Sequence, residues 1–573
     1  MNTAEYLIKR LEDLGINDFF GLPGDYNFEI IYSIQENKNT NWIGCSNELN
    51  AGYAADGYAR EKGYGALVTT YGVGELSAIN AVAGSYAENV PVINIVGAPD
   101  SKLLEERKVI HHQFSNPEPY AFMESYNSVT CAAAFLTRDN AKIEIDRVLK
   151  AFVKEKKPVY ICIPQDIAKL EISERESDYG WLSDMAVLRS VTEKIAEKIR
   201  NSERPIILAD VLTKRFGAAR ELKTFVEKSG IPVTNFVMGM GIIDSDYKNY
   251  LGTYLAEYGN LAAKRALETT DCLIAVGTIY GDFNSLGFKL PYNIDSQIAI
   301  YGTYTYVDGV KYENVKMTDV LREVADVVET RNYDIEKQEF GYEDTENTEE
   351  LTSDYIYPKI QEFLKEDDII YSEIGLIPYG MFGLKLPRGV KFNVQALWCS
   401  IGWATAAAFG AGIARPESRV ILVTGEGAHQ ISAMEVGNML RYGLKPVIIV
   451  VNNGGYTIER VLSEKFENEL NNIIDINYSK FARIFEGDIW STRVNTAEDF
   501  EKALRVTAIM KKLCYIEACV DRADIPALGK AYLCGNKPEQ PKKKVKQKKE
   551  EKLSKNIDNM YSTKVHESLQ IEE

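Results

Sequence analysis

Runs rich in Val and Ile recur along this chain between stretches of helical periodicity: Val90 to Pro99, Pro158 to Pro164, Arg204 to Asp210, Asp271 to Gly277, Asp368 to Gly375, Val420 to Gly425, Pro446 to Asn453 and Cys514 to Val520. Continuous apolar runs, as opposed to alternating ones, predict strands covered on both faces, as in parallel sheets. Strands alternating with helices over the whole length predict an α/β protein of several open, mainly parallel sheets with helices on both faces. At the start, Tyr6, Leu7, Leu11 and Leu14 form an amphipathic pattern. Ligands of open α/β sheets bind beyond the carboxyl ends of the strands, so the chemistry is sought in the turns that follow these runs.

Two polar stretches interrupt the rhythm, Glu171 to Leu182 and the acidic Glu336 to Thr352. Read as linkers, they divide the chain into three α/β domains, 1–180, 181–345 and 346–535. A length of 573 residues agrees, because one hydrophobic core does not grow to that size. Beyond about Gly535 the periodicity stops. Residues 536–573, with the basic run Pro541 to Lys549, are expected to be a disordered, solvated tail. A nuclear address or a contact with RNA or an anionic membrane is the other reading of that run.

A formal charge of −17, from 83 acidic and 66 basic residues, argues against the folded body wrapping a nucleic acid. Small molecules or further copies of the chain are the expected partners. The N-terminus lacks the apolar core of an export signal, and no apolar run reaches the roughly 18 residues that span a bilayer. Cys45, Cys131, Cys162, Cys272, Cys399, Cys514, Cys519 and Cys534 show no paired metal-like spacing. They read as reduced thiols of a cytoplasmic protein, most of them small core residues.

Two turns carry the chemistry. The run Val420 to Thr424 ends in Gly425-Glu426-Gly427, followed by a helical pattern from Ala428 to Tyr442, and the run Val447 to Val451 ends in Asn452-Asn453-Gly454-Gly455. Glycines at the first turn let backbone amides approach a diphosphate at a helix N-terminus, and a carboxylate beside an amide oxygen offers hard ligands for Mg²⁺. Each turn alone is commonplace. Their combination, with Glu426 and Asn453 27 residues apart, resembles the Mg²⁺-diphosphate signature of the thiamine-diphosphate enzymes.

The resemblance runs through nearly the whole folded chain and is closest to the 2-oxo acid decarboxylases that act on pyruvate and indolepyruvate. It is carried by Gly21 to Asn27, Asn47 to Arg60, Thr69 to Ala78, Trp398 to Gly402 and Gly455 to Arg460. It implies a thiamine-diphosphate-binding fold with an N-terminal pyrimidine-binding domain and a C-terminal diphosphate-binding domain. The cofactors implied are thiamine diphosphate and Mg²⁺, and the substrate a small 2-oxo acid. The assembly implied is a homodimer or homotetramer whose active sites are shared between chains.

By the same resemblance, Glu48 activates the cofactor through its pyrimidine ring, and Asp25, His111 and His112 relay protons after CO₂ leaves. Glu459 faces the substrate carboxylate. Glu426, Asn453 and Gly455 ligate the metal, while Gly425, Gly427, Ala428, Leu376, Cys399, Ile401 and Ile458 contact the cofactor, Ile401 being the side chain that bends it. An exposed Glu459 paired with Arg460 or Lys465 is the alternative reading of that carboxylate.

Departures from the family pattern are also legible. Glu426 stands where aspartate is usual, Gly454 where an acid is usual, Cys399 where glycine is common, and Ile374-Gly375-Leu376 where many decarboxylases carry threonines. The greasier pocket implies an aromatic or branched substrate, or else a catalytically weakened paralogue acting as a regulatory or assembly subunit. The adjacent histidines argue against a carboligase.

Overall fold

In the computed structural model the described residues are 1–173, 178–333, 339–343, 349–463, 466 and 468–534. Met1–Leu533 form one compact unit. Cys534–Glu573 form a second, of which only Cys534 is described, so the basic run from Pro541 lies outside the described residues, as do parts of both expected linkers.

Three sheets organise the large unit. The first has the spatial order Asn41–Gly44, Asp18–Gly21, Gly65–Thr70, Val92–Ala98, Val159–Pro164, Ala132–Phe135, with all neighbours parallel. The third repeats that order with Lys391–Val394, Ile369–Ser372, Val420–Gly425, Val447–Asn452, Leu513–Cys519 and Ile489–Val494, again all parallel. Between them lies a seven-stranded sheet centred on Pro205–Ala209 and Cys272–Val276. One edge of it is closed by the antiparallel hairpin Tyr304–Val307 and Val310–Glu313.

All eight apolar runs form strands, each with parallel neighbours. Strands that did not stand out as such runs include four-residue ones such as Asp18–Gly21 and Asn41–Gly44, and the hairpin, whose second strand is largely exposed. The helical pattern from Ala428 to Tyr442 needs correcting. The helix starts at Glu426, ends at Ser432 and resumes as Glu435–Arg441, so Glu426 is itself the first helical residue. The thiols are less buried than expected: Cys162, Cys272 and Cys514 are buried, Cys399 is exposed, and all eight are free. Some of the described linker residues pack closely, although most are exposed. Tyr179 and Leu351 are buried, and Tyr342 donates through its hydroxyl to Gly380 O.

The first and third sheets are joined by two helices, Glu48–Lys62 and Trp403–Ala414, which are buried nearly all round. Small residues let their backbones touch: a Cβ on Gly57 would lie 2.0 Å from Ala407 O, and one on Gly410 would lie 1.8 Å from Ala54 O. Beside this contact Arg60 is buried between Asp56 (2.7 Å) and Glu88 (2.8 Å) and lies over the Trp403 ring. Breaking such a buried pair on one side strands a charge, at a cost of about 3–5 kcal/mol. The Glu48 helix is thereby fixed to the third sheet of its own chain.

Candidate active site

At the carboxyl end of the first sheet, Asp25 opens the short 3₁₀ turn Asp25–Asn27. Gly97, on the strand beneath, makes room for that turn, since a Cβ there would lie 2.3 Å from Tyr26 O. His111 and His112 come from the loop after the helix Ser101–Glu105. His111 Nε2 lies 2.7 Å from Asp25 Oδ2, and its Nδ1 lies 3.2 Å from the Tyr26 hydroxyl. Burial, with Asp25 nearby, pushes the Tyr26 phenol up to about 12. The Asp25 carboxylate can only accept, so in a neutral ring Nε2–H donates to it and Nδ1 is left to accept from the Tyr26 hydroxyl. The His111 and His112 rings are 4.7 Å apart, so the structure brings Asp25, His111 and His112 together.

Glu48 stands in the first turn of its helix, where Asn47 caps Asn50 N and the helix dipole favours a carboxylate. Gly74 comes close enough that a Cβ would lie 3.3 Å from Glu48 Oε1. The turn before it holds Gly72 at φ +65°, pressed against His112 O, where a Cβ would lie at 2.0 Å. Only glycine fits this left-handed, crowded position. The loop bearing the histidines is thus seated on the turn that leads to the next helix.

The second cluster lies at the carboxyl end of the third sheet, around a cleft of about 580 Å³ including its open mouth. Leu376, Ile401, Gly425, Glu426, Gly427, Ala428, Asn453, Gly455 and Ile458 all line it. No side chain caps the N-terminus of the helix Glu426–Ser432, and a Cβ on Gly425 would meet nothing within 4 Å. The amides there are open to an anion. Gly427 has no such freedom, because a Cβ would lie 2.6 Å from the Tyr456 ring.

Glu426 is buried, and burial holds its carboxyl above the usual range. Its Oε1 accepts Gly455 N at 2.6 Å, so the longer side chain reaches across to the next strand end. An amide atom of Asn453 lies 2.8 Å from Gly455 O and 3.3 Å from Glu426 Oε1. With nitrogen inward, the amide donates to both. Turned over, it presents a third oxygen, and cis oxygens around an ion with bonds of roughly 2.0–2.1 Å lie about 2.9 Å apart. The residues present therefore fit Mg²⁺.

Two expected residues fall outside the cleft lining. Glu459 is exposed in the helix Thr457–Leu462, and Cys399 is exposed with φ +56°. Arg460 turns inward, donating to Gly454 O (2.6 Å), Thr457 Oγ1 and Asn472 Oδ1, and Lys465 lies outside the described residues. None of Asp25, Glu48, His111 and His112 lines the cleft, so one chain holds two separate clusters. Sequence reasoning passed over Tyr26, although it adjoins Asp25. It also passed over Glu435, whose Oε1 accepts Ser46 N (2.9 Å) and Asn50 Nδ2 (3.1 Å) beside Glu48. A contact between residues nearly 390 positions apart leaves no local signal.

Comparison with known proteins agrees with this layout. Residues 1–119, 192–322 and 379–518 match the N-terminal TPP-binding, central and C-terminal TPP-binding domains of thiamine pyrophosphate enzymes. An alpha-keto-acid decarboxylase of Mycobacterium leprae is 34% identical over 535 residues, 92% of this chain and 94% of the relative. A pyruvate decarboxylase of Aspergillus fumigatus is 34% identical over 545 residues, 92% of this chain and 95% of the relative. With three domains matched in order and full-length relatives of this kind, the chain belongs to the thiamine-diphosphate-dependent 2-oxo acid decarboxylase family.

Proposed function

We propose that this protein decarboxylates a 2-oxo acid to an aldehyde and CO₂, using thiamine diphosphate and Mg²⁺. The observation that carries the reading is the convergence of Glu426 Oε1, the Asn453 amide and Gly455 at two adjacent strand ends, beside an uncapped helix N-terminus. Glu426, Asn453 and the Gly455 carbonyl would hold the metal, and the amides of Gly427 and Ala428 the diphosphate. When bound, thiamine diphosphate would supply an acidic thiazolium carbon as nucleophile and a cationic ring that takes up the electron pair left when CO₂ departs. Ile401 would pack against the bound ring system, and Leu376 and Ile458 would exclude water beside it. Glu48 holds a proton against the pyrimidine ring nitrogen. His111, oriented by Asp25 and Tyr26, works with His112 to deliver a proton to the reacting carbon, and Glu459, next to the cleft-lining Ile458 but exposed in the single chain, would face the departing carboxylate.

Aliphatic side chains at Ile374, Leu376, Ile377, Ile401 and Ile458 line the cleft, which supports an aromatic or branched substrate over pyruvate. The separation of the two clusters supports a homodimer or homotetramer in which Glu48 of one copy meets the cleft of another. Exposed Val73 beside one cluster, and exposed Ile431 and Met434 beside the other, are suited to that contact. A three-domain division at 180/181 and 345/346, with a tail from 536, is part of this reading. So is a cytoplasmic location, in keeping with eight free cysteines. Among the described residues no helix is long and apolar enough to cross a membrane.

One observation favours the second reading, a weakened paralogue. Glu426 Oε1 is already engaged by Gly455 N at 2.6 Å, so this oxygen is committed to the protein's own backbone before any metal arrives. The test is to incubate purified protein with thiamine diphosphate, Mg²⁺ and a panel of 2-oxo acids and to measure aldehyde and CO₂. The decarboxylase reading expects turnover, fastest with aromatic or branched acids. No aldehyde from any acid, with no cofactor retained, would establish the paralogue.

A further inference from the structure

Glu373 follows the strand Ile369–Ser372, and its side chain is fully buried. One carboxyl oxygen, Oε1, accepts Ile374 N at 3.0 Å. The other, Oε2, accepts Gly402 N at 3.2 Å and Ala404 N at 3.3 Å. These donors belong to two chain segments that are far apart in sequence. The first turns through Gly375 at φ +97°, and the second enters the helix Trp403–Ala414 through Gly402 at φ +88°. That helix has no cap from its own first residue, so a distant carboxylate meets the amides that its N-terminus leaves open. A buried N–H left without an acceptor pays its full desolvation cost, which makes the two turns dependent on this one side chain.

Both turns carry walls of the cleft: Ile374 and Leu376 on one, Ile401 on the other. The segment before Gly402 is otherwise suspended from the N-terminal part of the chain. Glu88 Oε1 accepts Leu397 N (3.0 Å), Asn80 Oδ1 accepts Trp398 Nε1 (2.9 Å), and Tyr53 and Asn80 bond to the Ser400 hydroxyl. Ser432 then ties Gly402 O to the helix Glu426–Ser432. Glu373 stands where this suspended segment meets the third sheet.

We propose that Glu373 is a positioning residue: its two oxygens set the spacing between the Ile374–Leu376 wall and Ile401, and so set how tightly the cleft grips thiamine diphosphate. The assignment rests on the cofactor reading of the cleft given above. It adds a residue that touches neither cofactor nor substrate and acts through the backbone of those that do. Because a carboxylate offers two acceptor oxygens and a glutamine amide only one, Glu373→Gln can hold one segment but not both. Glu373→Met keeps the length and holds neither.

The experiment uses the full chain and both variants at pH 8, above the value of about 7 to which burial raises Glu373, so that both of its oxygens accept. Hydrogen exchange is followed at Ile374 and at Gly402–Ala404, thiamine diphosphate is titrated in the presence of Mg²⁺, and kcat is measured at saturating cofactor. Glu373→Met should speed exchange at both segments and weaken cofactor binding about tenfold, the equivalent of one hydrogen bond. The kcat of the saturated protein should change less. Glu373→Gln should protect one segment and bind with intermediate affinity, and it decides the matter alone if Glu373→Met does not fold. Unchanged exchange, or faster exchange with wild-type affinity, would overturn the proposal. A wild type that binds no thiamine diphosphate would sink the cofactor reading and the grip with it, whereas normal binding that both variants leave untouched sinks the strut alone.

Discussion

The first and third sheets share one strand order, and their candidate site residues follow corresponding strands. After the second strand edgewise come Asp25 in one and Leu376 in the other. After the edge strand come Glu48 and Ile401, after the third strand Gly72 and Glu426, and after the fourth His111 and Asn453. What separates the two ends is who occupies the helix N-terminus after the third strand. In the first sheet Glu75 folds back so that its Oε1 accepts Gly72 N (2.8 Å), while Tyr160 donates to its Oε2 (2.7 Å). The protein's own carboxylate fills that anion site. In the third sheet the equivalent N-terminus is uncapped and opens on the cleft. Identical topology thus leaves phosphate binding to a single choice of turn residue.

The comparison predicts that the two ends fail differently. Glu48→Gln should keep the fold and lower turnover by roughly 10²–10⁴, the range for losing a general acid or base. Exchange of the thiazolium proton, followed by NMR, should slow in parallel. Fast exchange with slow turnover would remove Glu48 from cofactor activation.

At the other end, Glu426→Ala should lose cofactor retention. The direction of Glu426→Asp then tells whether the turn accommodates the longer side chain. A relaxed site loses affinity with aspartate, and a strained one gains it. A strained site should also favour Ca²⁺, which accepts oxygen shells at roughly 2.3–2.6 Å, over Mg²⁺. Equal binding by wild type and Glu426→Ala would show that this carboxylate is no ligand.

A third effect is common to both ends. Burial raises Glu75 and Glu373 from 4.5 to about 7. Between these pH values the folded chain holds protons that the unfolded chain has released, so stability falls as pH rises. The contribution is fully present below about pH 4.5 and gone above about pH 7. At ~1.4 kcal/mol per pH unit it amounts to roughly 3 kcal/mol for each carboxyl. Denaturant midpoints from pH 5 to pH 8 should show the decline, and Glu75→Gln should remove about half of it. A flat profile would mean that both groups are charged throughout.

Much of this layout was legible in the chain because parallel strands covered on both faces leave long Val and Ile runs, and because glycine turns at their ends have to be glycine. Gly427 lies under Tyr456 and Gly72 under His112 O, so backbone crowding writes itself into composition. Glu373 and Glu435 left no such mark. A buried glutamate that serves backbone amides of remote segments looks, in sequence, like any other glutamate. The same limit applies to Cys399 and Glu459, which were named from a motif, while the single chain turns both away from the cleft lining.

Cys399 offers the smallest and most local test. It holds φ +56°, a left-handed conformation that costs a residue with a Cβ roughly 1–2 kcal/mol. Glycine removes that strain but gives the unfolded chain more freedom, about 0.4–1 kcal/mol. The first effect is the larger, so Cys399→Gly should stabilise the protein by roughly 0.5–1 kcal/mol, read as a small rise in the denaturant midpoint at unchanged m-value. Cys399→Ala keeps the Cβ and the strain, and should not. If the strain instead holds Ser400 and Ile401 in place against the Glu373 turn, the more stable glycine variant will bind thiamine diphosphate less tightly than wild type. Greater stability with weaker binding would show that the third sheet uses backbone strain to shape its site. Greater stability with equal binding would show that the hydrogen bonds from Tyr53, Asn80 and Glu373 suffice.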